Sequence, residues 1–180
     1  MKKRIGRMEK VSISSLVILL FLSIMHTGCF VPRLIWPQGD IQQGELNDPS
    51  LQKKILVAAR SSEFKDAVVK KIRDAFKDKP VYVKFIGIDN LKEEDATDYS
   101  AVVLISTCIA WKLDRHVNGF FNRHEHHDNM IVLTTSGDGD WVPDKKGRNF
   151  DAISSASQSV KINEVADSIV EKIGSLLADE

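Results

Sequence analysis

Apolar positions along this chain fall into two rhythms, short unbroken runs and helical stripes, and the two alternate. Residues 55–59 read Ile-Leu-Val-Ala-Ala, a run too short for a helix and suited to a strand buried on both faces. Ser61 and Ser62 then offer an N-cap, and Glu63 adds negative charge to the first turn of a helix. Phe64, Ala67, Val68, Ile72, Ala75 and Phe76 share one face of that helix, and Pro80 closes the stretch that stops it. Residues 81–88 predict a second strand, with Val81, Val83 and Phe85 alternating against Tyr82 and Lys84. Residues 90–98 are polar and form at most a short helix. Residues 101–105, Ala-Val-Val-Leu-Ile, are a third strand that runs into Ser106, Thr107 and Cys108. Leu113, Val117, Phe120 and Phe121 follow at helical spacing. A fourth strand is predicted at 130–135 and a fifth at 150–153. The closing helix carries Ile162, Val165, Ile169, Ile173, Leu176 and Leu177 on one face. Strands that alternate with helices call for a parallel sheet with right-handed crossovers, and such sheets hold ligands at the carboxyl ends of their strands.

The first residues depart from this rhythm. Lys2, Lys3, Arg4, Arg7 and Lys10 make a basic start, and residues 11–25 are an apolar run short for a bilayer-spanning helix and suited to a signal peptide. Gly28-Cys29 resembles the end of a bacterial lipobox, with His26 where leucine is usual. The resemblance implies cleavage before Cys29, lipidation of that thiol, and an exported protein anchored to a bacterial membrane. Residues 30–52 carry Pro32, Pro37, Gly39, Gly44 and Pro49 without sustained periodicity. The expected organisation is therefore a signal peptide at 1–28, a tether at 29–52 and one domain at 53–180. Trp36 within the tether has lipid or the domain as its neighbour.

Composition narrows the function. Lys and Arg total 25, Asp and Glu total 25, so the chain lacks the basic surplus that a nucleic-acid partner requires. With Cys29 lipidated, Cys108 has no partner for a disulfide and reads as a small buried apolar residue.

The strand that ends in Ser106-Thr107-Cys108 and turns into a helix resembles the third strand, loop and helix of flavodoxin-like domains, and the element order over residues 54–177 is similar to theirs. The resemblance implies a three-layer α/β/α sandwich with a short parallel sheet in the order 2-1-3-4-5. It also implies that three loops hold FMN. Arg60, Ser61, Ser62 and Lys65 stand at the phosphate loop, although the family's glycine and closing threonine are absent, Glu63 is negative, and a helix cap explains the same residues. Ser106, Thr107 and Trp111 stand beside the flavin ring, with Trp111 placed either to stack on it or to cap the core. Thr135, Ser136, Gly137, Asp138 and Trp141 form the third loop, where small residues allow close backbone approach and a plain turn has the same composition.

Two further segments invite chemistry. His124, His126 and His127 with Glu125 and Asp128 have metal-ligand chemistry, but neighbours so close in sequence rarely face one point, so a polar surface turn is expected and no metal. Residues 151–159 resemble a motif on which exported bacterial proteins carry covalent FMN, with Ser155 and Ser157 departing from it; serines there also suit a turn. The function expected is noncovalent FMN binding for electron transfer at a membrane, with a redox protein as partner. The alternatives are a flavin-free binding or scaffold module of the envelope and an FMN-dependent quinone or small-molecule reductase. Electron transfer through a bound flavin needs no acid/base residue, and no nucleophilic triad is evident.

Overall fold

The computed structural model describes residues 38–178. The chain divides into two units, residues 1–37 and 38–180, and the expected signal peptide, Cys29 and Trp36 lie outside the described residues. The elements are β1 (Gly44–Leu46), β2 (Lys54–Ala59), α1 (Glu63–Phe76), β3 (Tyr82–Gly87), β4 (Ala101–Thr107), α2 (Arg115–Arg123), β5 (Met130–Ser136), β6 (Asp151–Ala156) and α3 (Ile162–Ala178).

The five expected strands become β2 to β6, and they pair with one another in parallel. The sheet order is β1-β3-β2-β4-β5-β6. Counted over the five expected strands this is 2-1-3-4-5, with helices on both faces, a flavodoxin-like α/β/α sandwich. The pleat explains why the central runs are apolar without a break. Ile55, Val57, Val103, Ile105, Ile131 and Leu133 face α1 and α3. Leu56, Ala58, Val102, Leu104 and Val132 face α2 and the short turns at Ile88–Glu93 and Ala96–Asp98. A strand covered on both sides has no face left for polar residues.

Two stretches differ from expectation. The fifth strand runs on through Ser154 and Ser155 to Ala156, because an edge strand beside β5 tolerates polar side chains that a central strand does not. Phe150 precedes this strand and stacks on Phe121 at 4.8 Å beneath α2. The second difference lies in the expected tether, whose residues 38–52 pack on the domain. β1 pairs antiparallel with β3, and Asp40 bridges Arg60 beyond the carboxyl end of β2. Asn47, held at φ 66°, donates its side-chain amide to the carbonyls of Phe76, Lys79 and Val81 at 2.7–3.0 Å. Backbone pairing and one amide fix this segment, so hydrophobic periodicity carries no trace of it.

A chain beginning at Lys53 would lose β1, the Asn47 amide and Asp40 together. The lost hydrogen bonds, at about 1 kcal/mol net each, are partly offset by the conformational entropy that the ordered segment no longer gives up, so it should be roughly 2–4 kcal/mol less stable than a chain beginning at Gln38. Urea denaturation of the two checks this, and coincident curves would return residues 38–52 to the tether.

Candidate functional site

The loops after β2, β4 and β5 open at one end of the sheet, and each starts where its apolar run meets small hydroxylated residues. In the first loop, Ser62 caps α1 by accepting the Lys65 backbone N–H at 3.4 Å. Ser61 donates its hydroxyl to Asp66 at 2.9 Å and its backbone N–H to the Gly39 carbonyl at 2.8 Å. Arg60 is buried, and its guanidinium is shared among three carboxylates: Asp40 at 2.7 Å, Asp89 at 3.0 Å and Asp114 at 3.0 Å. Burial works against the guanidinium's charge, yet these carboxylates hold it more firmly protonated than usual. Asp89 is held below the ordinary carboxylate range: burial opposes this, and the hydrogen bond and charge of Arg60 outweigh it. His116 Nε2 lies 3.2 Å from the same Asp89 oxygen that meets Arg60.

Arg60 and Ser61 are therefore not the free phosphate donors that the sequence suggested. The residues that engage Arg60 were not singled out by sequence. Asp114 carried a local signal, since it caps α2 by accepting the His116 N–H at 2.8 Å, but the sequence does not disclose the long-range partner of a cap. Asp40 lay in a stretch that reads as linker.

Lys65 is buried in the first turn of α1, and its ammonium donates to the Thr107 hydroxyl at 2.6 Å. Thr135 donates to the same oxygen at 3.4 Å. One register position back, Ser106 and Thr134 pair across β4 and β5 on the α2 face, and both hydroxyls are buried without a hydrogen-bond partner. Ser106, Thr107 and Thr135 thus build the floor of the strand ends, with Ser106 turned away from the α1 side.

The second loop ends in a two-residue reversal. Ile109 and Lys112 exchange backbone hydrogen bonds at 3.2–3.3 Å, and Ala110 and Trp111 between them both have positive φ, 52° and 54°. That geometry is a tight primed turn, usually made by Asn-Gly. Holding Ala and Trp there stores strain, which functional loops tolerate. The turn lifts Trp111 clear of the core to 81% exposure, so the core-cap alternative for this residue does not hold.

The third loop is bonded to itself. Ser136 donates to Asp138 at 2.7 Å and accepts the Gly139 N–H at 2.9 Å, and Asp140 donates its N–H to Asp138 at 3.2 Å. The Ser136 bond, foremost, holds the Asp138 carboxyl below its usual range. Gly139 sits at φ 82°, and a Cβ there would come within 2.4 Å of the Ala156 nitrogen, so the loop folds over the end of β6. The Trp141 carbonyl accepts from Ser154 at 2.7 Å and the residue is half-buried, while Gly137 and Asp138 face solvent. The histidines do not converge: His124 is buried against Phe120, His126 points outward, and His127 meets His124 edge-on at 5.9 Å. Among the described residues no three His, Cys, Asp or Glu side chains form a metal site.

FMN, the cofactor implied by the resemblance, fits this end by halves. Trp111 offers an open ring face. The phosphate half does not fit as the resemblance implies, because the Arg60 guanidinium and the Ser61 hydroxyl and backbone N–H are engaged internally and the surplus of carboxylates around Arg60 would repel a second anion.

Burial pushes the Lys65 ammonium down to about 8 from an ordinary 10.5. Between those values the unfolded chain holds a proton that the folded chain has lost, so stability rises with pH across that window. Lys65→Met should therefore gain up to about 3 kcal/mol near neutral pH, with the gain fading as pH approaches the ordinary lysine value. Urea denaturation at neutral and alkaline pH checks this. A variant that is weaker at both contradicts it.

Neither a family model nor a curated protein matches this chain. Among solved structures, a short-chain flavodoxin associated with a non-canonical PDU bacterial microcompartment is similar at 14% identity, covering 68% of this chain and 97% of its own, with a TM-score of 0.47. A flavodoxin from the domain Archaea is similar at 14% identity, covering 68% of this chain and 98% of its own, with a TM-score of 0.46.

Proposed function

We propose that this protein is a flavodoxin-fold binding module of the cell envelope that works without flavin. It would be exported and held at a membrane through Cys29. The observation that carries the reading is the engagement of Arg60 by Asp40, Asp89 and Asp114, which fills the corner where a flavin phosphate would need donors. The scaffold keeps what a binding module needs. A sheet buried on both faces gives rigidity, and the strained turn at Ala110 and Trp111 presents an aromatic anchor to solvent. A Trp carried on a turn whose backbone is already fixed binds at low entropic cost, because only its two side-chain torsions are left to order.

The electron-carrier reading draws on that same residue, since an exposed Trp111 beside the ends of β4 and β5 has the ring face that a flavin would need. A titration separates the two. A chain beginning at Gln38 is mixed with FMN, and flavin fluorescence is followed into high micromolar protein. The binding-module reading predicts no saturable quenching, and no difference between the parent and Trp111→Ala. Saturable quenching that Trp111→Ala weakens would overturn it in favour of the carrier, and NAD(P)H oxidation by that complex would point to a reductase.

A further inference from the structure

Among the described residues, the exposed large apolar side chains are Trp111 at 81%, Val142 at 51% and Val160 at 80% exposure. All three fall at one end of the sheet. Trp111 tops the turn after β4, Val142 follows the loop folded over the end of β6, and Val160 lies between β6 and α3. The chain enters the domain at the same end, where Asp40 is clamped to Arg60 just beyond β2. From that clamp to Val160 the rim spans the ends of β2, β4, β5 and β6, roughly 15–20 Å at the usual strand spacing.

We infer that this rim seats on a lipid surface, with Trp111, Val142 and Val160 as its apolar contacts. The inference rests on the membrane-tethered reading and names what the rim of that module binds. Residues 30–37 separate Cys29 from the domain and reach at most about 28 Å when fully extended. A lipid at Cys29 therefore holds the domain by the end that carries the rim, with Gln38 drawn toward the bilayer. Exposed apolar side chains gathered at that end lose water when they meet the headgroup boundary, and a tryptophan is favoured there because its ring is apolar and its N–H finds a polar partner. Charge at this end is mixed, with Lys112 and Lys161 against Glu63, Asp138 and Asp140. The seat is therefore apolar rather than polybasic, and it should not require anionic lipid or weaken in salt.

The test uses the full lipidated chain in phosphatidylcholine vesicles, with Trp36→Phe and Trp141→Phe leaving Trp111 as the sole tryptophan and circular dichroism confirming the fold. Bromine placed shallow in the acyl chains should quench Trp111 about twofold, with protection from aqueous iodide and no dependence on salt. Val142→Glu with Val160→Glu should abolish the quenching while the protein still floats with the vesicles. Flotation with Trp111 unquenched and open to iodide would overturn the inference and leave a protein partner for the rim. A concentration-dependent blue shift of Trp111 without lipid would overturn it in favour of a second copy. Failure to float would remove the anchor reading and this inference with it.

Discussion

One guanidinium sets the shape of the functional end. Arg60 stands where β2 leaves the sheet, and its three carboxylate partners come from three separate segments: Asp40 from the strand-like entry, Asp89 from the turn after β3, and Asp114 from the cap of α2. A buried charge is tolerable only when paired and hydrogen-bonded, so these segments cannot drift apart without stranding an ion in a poor solvent. Asp40 also accepts the Asp89 backbone N–H at 3.1 Å, and its carboxylate lies against Gly87 so closely that a Cβ there would come within 2.4 Å. The cluster acts as a knot that draws the chain's entry across the first loop.

That knot explains why a sheet with flavodoxin-like topology supports a reading without flavin. The order of strands brings the right loops to one end, but topology alone leaves open what each loop contacts. Here the first loop is closed by internal pairs, and the third by its own serine and aspartate. The second raises Trp111, the largest exposed apolar side chain among the described residues, into water on a turn whose residues are strained. Rigid closure on one side and an exposed aromatic on the other are the features of a surface that binds by contact.

The sequence carried the interior well and the rim poorly, for a physical reason. Burial on both faces leaves an unbroken apolar run, so β2 to β5 and the stripes of α1 and α3 were legible, and their alternation led to the parallel order. β1 was not legible, because three residues fixed by backbone bonds and Asn47 leave no hydrophobic period. The resemblance placed Arg60 and Ser61 at a phosphate loop by residue type. Arg60 is instead paired with Asp40, Asp89 and Asp114, and a charge pair between distant segments has no signature in one chain, while Ser61 is held by hydrogen bonds to Asp66 and to the Gly39 carbonyl. Trp111 was placed at the correct end, while its exposure depended on positive φ at Ala110, which no residue type there announces.

The central claim is that Arg60 is an internal, stability-bearing charge rather than a donor waiting for a ligand. Replacing it by Met keeps much of the volume and strands three carboxylates. Chemical denaturation of Arg60→Met should show a loss of about 3–5 kcal/mol near neutral pH. Against the effect of burial, Arg60 holds Asp89 below the ordinary carboxylate range, so the part of the gap that comes from that pair should be lost as pH falls below about 4 and Asp89 is protonated in the parent. A variant as stable as the parent at neutral pH would mean that Arg60 is free for an outside anion, and the flavin-free reading would fall.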